Sequence, residues 1–189
     1  MNMKITNKNI IKDNVNPLIR EKSVDVKLPL SDEDSELLTG LLTYVQNSTN
    51  PVLAKRDDLS PAVGIAAIQV GVKKKMLAVV LRDENDKIIY QYALANPKII
   101  SYSVEPAFLP GGEGCLSVAG VHEGYVYRHR RIKVKAYDML QDKEVVIKAS
   151  DYLAIVLQHE IDHLSGILFY DHIDPKNPFR IDEKAHCIQ

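Results

Sequence analysis

From Ser31 to Ser48 the chain reads SDEDSELLTGLLTYVQNS. Leu37, Leu38, Leu41, Leu42 and Val45 recur there at the spacing of one helical face. Ser31 is an N-cap candidate with acids in the first turn behind it, so the pattern predicts an amphipathic helix over 32–48. The period then changes. KKMLAVVLR is a short apolar run rich in valine, DENDK is a hairpin turn, and IIYQYALANPKII resumes the strand pattern until Pro97, where it is expected to break. RRIKVKAYDM alternates Ile132, Val134 and Ala136 with lysines, and QDKE turns it into VVIKA. A helical period returns in DYLAIVLQHEIDHLSG, with Ser150 as cap, Asp151 in the first turn and Gly166 placed to end it. ILFYDHID is expected to add one short strand. Residues 1–30 follow neither period and are punctuated by Pro17 and Pro29.

Leu153, Ile155, Val156, Leu157 and Ile161 leave the last helix little polar surface, so it should be buried. The class is therefore α+β, with antiparallel strands around a central buried helix. At 189 residues and 46% apolar composition, the expectation is one domain, 1–189, with 175–189 as a peripheral tail. A net charge of −1, without long runs of like charge, gives no reason to expect DNA or a membrane as partner. VKKK and YRHRRIKVK read as solvated faces. No stretch reaches the ~18 apolar residues of a membrane span, and the polar start lacks a secretory signal, so a cytoplasmic protein is expected. Two cysteines, Cys115 and Cys187, suit a reducing compartment.

The chemistry concentrates in QHEIDHLSG. His159 and His163 are four residues apart and share one helix face, so both can reach one metal ion, while Glu160 sits close enough to exchange protons with a water there. A helix can carry this pattern without a metal. Burial argues for one, because two histidines and two acids in an apolar helix are costly without partners. A third ligand is needed. His122, His129, His172 and His186 lie in charged or loop-like sequence, whereas Cys115 lies in PGGEGCLSVAG, where glycines let the backbone approach something closely. Two imidazoles and a thiolate would leave one position open, as catalytic sites do. A third stretch, AVGIAAIQVG, offers small residues and the Gln69 amide; it also fits a tight turn entering a strand.

Together, in this order, the three segments resemble the signature motifs of the peptide deformylases, and the chain length and GGEGCLSV are similar to the longer, type-2 bacterial members. EGCLS spans Glu113–Ser117 and QHEIDHLSG spans Gln158–Gly166. The first motif departs from the family pattern at Ala62, usually glycine, and at Ile68, commonly proline; both departures are expected to fall on the rim of the site. The resemblance implies the deformylase fold and removal of the formyl group from N-formylmethionine at the start of new polypeptides. It implies one divalent metal held by Cys115, His159 and His163, ferrous iron natively, with zinc, nickel or cobalt able to substitute.

Glu160 would be base and then acid, and the Gln69 amide and Leu116 N–H would meet the oxyanion. Ile155 and Val156, on the face of His159, are candidates with Val63 for the methionine pocket. Gly64 would pair with an extended substrate, and Glu113 would pair with Arg128. N-formylmethionyl nascent chains are the implied partners, with the ribosome near its exit as a further one and a monomer as the working unit. The rival reading is an HExxH zinc peptidase, whose third ligand would come from His172, Asp171 or Asp174.

Overall fold

Helix α1 spans Asp32–Ser48 in the computed structural model, which describes residues 4–188. The Ser31 hydroxyl accepts from the Asp34 N–H, and Asp32, Glu33 and Asp34 set negative charge at the positive end of the helix dipole. Leu37, Leu38, Leu41 and Val45 face inward and are buried. A second helix, α2, Pro51–Asp57, follows without an apolar stripe of its own. Its signal is local: the Asn50 side chain accepts from the N–H groups of Val52 and Leu53, and Pro51 fills the first turn, where its missing N–H costs nothing.

The strands are β1 (Gly64–Ala66), β2 (Met76–Arg82), β3 (Ile88–Tyr102), β4 (Pro106–Phe108), β5 (Arg128–His129), β6 (Arg131–Asp138) and β7 (Lys143–Ser150). Helix α3, Asp151–His163, comes next, and β8, His186–Cys187, closes the described chain. Five strands form an antiparallel sheet in the order β1-β2-β3-β6-β7, and β5-β4-β8 form a smaller one. β2 is buried on both faces, which is why it reads as a continuous apolar run. Met76, Ala78 and Val80 pack with α1 in one core, while Leu77, Val79 and Leu81 pack with Leu153, Val156 and Leu157 of α3 in the other. The metal-motif helix thus lies against the sheet on the side opposite α1. Its other flank meets the small sheet, where Ile155 packs with Ala107 of β4 and Ile188 of the tail.

Three expectations are corrected. Pro97 does not end β3. Asn96 takes positive φ (53°) and the register shifts between Ala95 and Lys98, so the proline sits in a bulge that needs no donor. The Asn96 side chain bonds the Val26 N–H and C=O, fixing that bulge to the N-terminal segment. ILFYDHID forms no strand. Leu168 and Phe169 are both buried, and Phe169–His172 is a 3-10 turn closed by the Leu168 N–H donating to Asp171. Ser150 stands at the N-cap of α3, but its hydroxyl makes no capping bond; Asp151, at φ 53°, pairs with Arg130 instead.

Gly166 does follow the helix, in a left-handed turn (φ 72°). A Cβ there would lie 2.0 Å from the Arg20 carbonyl oxygen, so the turn needs glycine for space as well as for conformation. Among the described residues no helix is long and apolar enough to cross a membrane.

Candidate metal centre

α3 presents His159 and His163 with ring centroids 4.9 Å apart and planes nearly perpendicular. The loop before β5 brings Cys115 to them, its Sγ 3.2 Å from His163 Nε2. One donor atom from each of Cys115, His159 and His163 lies within 4.8 Å of the others. Bonds of ~2.0–2.3 Å to a tetrahedral ion place neighbouring donors ~3.5 Å apart, so small side-chain adjustments would seat one. The donor set, two imidazoles and a thiol, suits zinc or ferrous iron and leaves a fourth position open.

The surroundings orient these donors. His159 Nδ1 meets a Glu113 carboxylate oxygen at 2.8 Å, which sets Nδ1 as the protonated nitrogen and leaves Nε2 for a ligand role. Arg128 holds the same carboxylate through two nitrogens, at 2.5 and 2.9 Å, and reaches Asp162 at 2.8 Å. Arg128 and Glu113 are 3% and 5% exposed, so the pair is essentially desolvated. Burial pushes the Glu113 carboxyl up, but His159 and Arg128 outweigh it and hold the group at about 2. Burial lowers His159, and its contacts with Cys115 and Glu113 outweigh that and carry it up to about 10. Burial pushes His163, fully enclosed, well below the ordinary imidazole range.

Glu160 is buried, and among the described residues its Oε2 has no hydrogen-bond partner. Burial raises its carboxyl to about 7, against the pull of His159 and Arg128. Gln69 is buried beside the sulfur: its Oε1 accepts from the Ala66 N–H at 2.8 Å, and its Nε2 reaches Ser117 Oγ at 3.3 Å and Cys115 Sγ at 3.6 Å. The Ser117 N–H also points at the sulfur, at 3.4 Å. Among the described residues the Leu116 N–H has no acceptor. Gln158 serves the framework, bonding the N–H and C=O of His129 and locking α3 to β5.

A cleft of about 600 Å³ opens beside these groups. Val63, Gly64 at the start of β1, Gln69, Cys115 and Leu116 line one side, and Ile155, Val156, His159 and Glu160 of α3 the other; His163 lies behind them. Of the two departures in the first motif, Ala62 does border the cleft. Ile68 does not; it is fully buried between the sheet and α3, where an apolar branched side chain fills the core. The Glu113–Arg128 pair forms as expected, while the Glu113 contact to His159 was not anticipated. Tyr152 and Leu109 also line the cleft. Tyr152 could have been found, since it precedes Ile155 by three residues on the same face; nothing local marks Leu109. The peptidase alternatives lie elsewhere: His172 bonds Asp162, Asp171 pairs with Arg20, and Asp174 caps a turn at Lys176.

Comparison with known proteins agrees with this geometry. A family model described as polypeptide deformylase matches residues 8–179. Peptide deformylase 2 of Bacillus subtilis is 47% identical over 185 residues, covering 98% of this chain and 99% of that one. Among solved structures, the peptide deformylase of Ehrlichia chaffeensis in complex with actinonin aligns with TM-score 0.72 and 29% identity, covering 93% of this chain and 92% of that chain. A Met-Ala-Ser-bound peptide deformylase from Acinetobacter baumannii aligns with TM-score 0.69 and 26% identity, over 92% of this chain and 100% of that chain.

Proposed function

We propose, for a chain that belongs to the polypeptide deformylase family, that this cleft hydrolyses the formyl group from N-formylmethionyl peptides and releases formate. The observation that carries the reading is the buried Glu160 carboxylate, one oxygen unpartnered, on the cleft wall beside Cys115, His159 and His163. Those three residues would hold one divalent ion, and the family resemblance favours ferrous iron, with zinc, nickel or cobalt as substitutes. When bound, such an ion supplies Lewis acidity and makes a water nucleophilic near neutral pH.

The chain's own residues do the rest. β1 is the last strand of its sheet. Val63 C=O is turned toward β2, where it accepts from Val80, so alternation turns the Gly64 N–H and C=O toward the free edge. An extended peptide can add there as a strand, which gives affinity with little side-chain selectivity. Val63, Ile155 and Val156 offer apolar surface to the methionine side chain, and the Met-Ala-Ser complex of the Acinetobacter relative supports peptide binding in such a cleft. Glu160 takes the proton that water loses on attacking the formyl carbon. It then delivers that proton to the amine nitrogen, which leaves as a neutral amine. The Leu116 N–H, free of other acceptors, and Gln69 Nε2 meet the negative charge that grows on the formyl oxygen. Formylated nascent chains are made in the cytoplasm, where this reading places the enzyme, as a monomer working near the ribosomal exit.

The test is direct. Metal-loaded enzyme given an N-formyl-Met peptide should release one formate per free amine formed, and Cys115→Ser should lose both metal and activity. Peptide-bond cleavage without formate, with metal retained in Cys115→Ser, would establish the peptidase reading instead.

A further inference from the structure

One charged side chain on the cleft belongs to none of this machinery. Residues 11–13 are laced between the first and second motifs. The Ile11 N–H donates to the Gln69 carbonyl and the Asp13 N–H to the Ser117 carbonyl, each at 2.9 Å. The Asp13 carboxylate accepts from the Ala119 N–H and the Tyr170 hydroxyl, each at 2.9 Å. Lys12 is therefore held between two anchored neighbours, and its side chain lies on the cleft border with Nζ donating to the Leu116 carbonyl.

Glu113, His159 and Glu160 carry the other charges of the lining, and all three are engaged in or buried at the metal centre. Lys12 is exposed, and among the described residues no carboxylate pairs with it. An ammonium has three donors; the Leu116 carbonyl takes one, and two remain for the cleft mouth. A peptide whose methionine occupies the apolar wall must leave the cleft across this rim.

Resting on the deformylase reading, we propose that Lys12 is a specificity-determining residue that reads a carboxylate on the peptide beyond the formylated methionine. That carboxylate is either an acidic side chain or the terminal group of a short peptide.

The experiment compares kcat/KM for formyl-Met peptides that differ at one position, acidic, neutral or lysine, each with a free or an amidated C-terminus. Amidated peptides isolate the side-chain contribution, and the free–amide difference isolates the terminal carboxylate. An exposed ion pair is worth ~0.2–1 kcal/mol, so wild type should favour the carboxylate-bearing peptide over its lysine counterpart by about 2- to 5-fold, mainly in KM. The preference should survive in Lys12→Arg, vanish in Lys12→Met and reverse in Lys12→Glu. It should also shrink at ~1 M salt, where the Debye length is only ~3 Å. A wild-type ratio near one for both arms overturns the proposal. So does a ratio that Lys12→Met and Lys12→Glu leave unchanged while kcat falls on every peptide alike, since Lys12 would then only brace Leu116. If no peptide releases formate with metal-loaded enzyme, the deformylase reading fails and this proposal fails with it.

Discussion

Gly64 faces Glu160 so closely that alanine at this position probes the proposed proton carrier without touching a metal ligand. An added Cβ would lie 2.5 Å from Glu160 Oε1 and 2.8 Å from both Cδ and Cγ. Comfortable carbon contacts begin near ~3.5 Å, so the overlap is roughly 0.7–1 Å and something must yield. β1 has little freedom, since Gly64, Ile65 and Ala66 are paired with Val79, Ala78 and Leu77 and are buried. α3 has little either, because Gln158 ties it to both backbone groups of His129. The side chain of Glu160 is the softest partner and should swing by about 1 Å.

A displacement of that size at the reacting centre costs about 10²-fold in turnover, and overpacking of this kind costs ~1–3 kcal/mol of stability. For a chain of this length the latter corresponds to a thermal midpoint lower by roughly 2–10 °C. The assay is steady-state formate release, with metal content and thermal midpoint measured on the same preparation. Gly111→Ala is the control, because a Cβ there meets nothing within 4 Å; its kcat should stay within about 2-fold of wild type, as surface changes without new contacts usually do. Wild-type kcat in Gly64→Ala at full metal content would refute the reasoning, because Glu160 would then tolerate displacement from the position assigned to it.

Four further outcomes follow from the same contacts. Glu160→Gln preserves size and every ligand, so metal should stay near one per chain while kcat falls at least ~10²-fold; full-metal protein with near-normal kcat would remove its proton role. Gln69→Ala should lower kcat and kcat/KM together by around 10²–10³. It should also reduce stability by ~1–3 kcal/mol, since the buried Ala66 N–H loses its acceptor; a rise in KM alone would make Gln69 a substrate contact only. Glu113→Gln removes the charged partner that orients His159 and should weaken metal binding ~10–100-fold in a chelator competition, and unchanged affinity would contradict that role.

Asp171→Asn tests stability against pH. Burial pushes the Asp171 carboxyl up, but Arg20 and the Leu168 N–H hold it below its ordinary range. A depressed folded-state value stabilises the fold above the unfolded pKa, ~3.9, and that stabilisation is lost as pH falls below it. At a third exposure the contribution is ~1 kcal/mol or less. The gap between the two urea midpoints should therefore be full at pH 6 and close toward pH 3 (both about), and a constant gap would exclude the charge pair as its source.

What could be read from the chain divides along the range of the interactions. α1 was legible to its ends because its stripe, its cap and its first-turn acids are all local. The metal-motif helix was legible from its apolar stripe and from Gly166 behind it, though not from its cap, and its histidines needed only the i, i+4 rule to be placed on one face. Pro97 misled because the chain stays in the sheet by a bulge whose support, Asn96 to Val26, comes from 70 residues away. ILFYDHID misled because a 3-10 turn is chosen by Asp171 closing onto Leu168 and by Arg20 holding Asp171 from the far end of the sequence. Ile68 belongs to the core and not to the rim because the 3-10 turn Ala67–Val70 rotates it under the sheet while leaving Gln69 beside the sulfur.

The candidate site repeats this division and explains its own construction. The two histidines proposed as ligands ride on a helix whose position is fixed by core packing, so their geometry depends little on any one contact. Cys115 comes from a loop with glycines at 111, 112 and 114, which has no ladder of its own to hold it. Its position is set by contacts that no local reading could supply. Glu113 is gripped by Arg128 and by His159 itself, Ser117 and Gln69 flank the sulfur, and residues 11–13 tie Gln69 to Ser117. A desolvated ion pair such as Glu113–Arg128 adds little net stability beside an apolar pair of the same size. Its value here is positional, because the same carboxylate that steadies the cysteine loop also sets the tautomer of His159 on the opposite wall. Loop and helix are thereby registered to each other through one buried side chain, and Cys115 and His159 border the same cleft as Glu160 and as Gly64 of the edge strand β1.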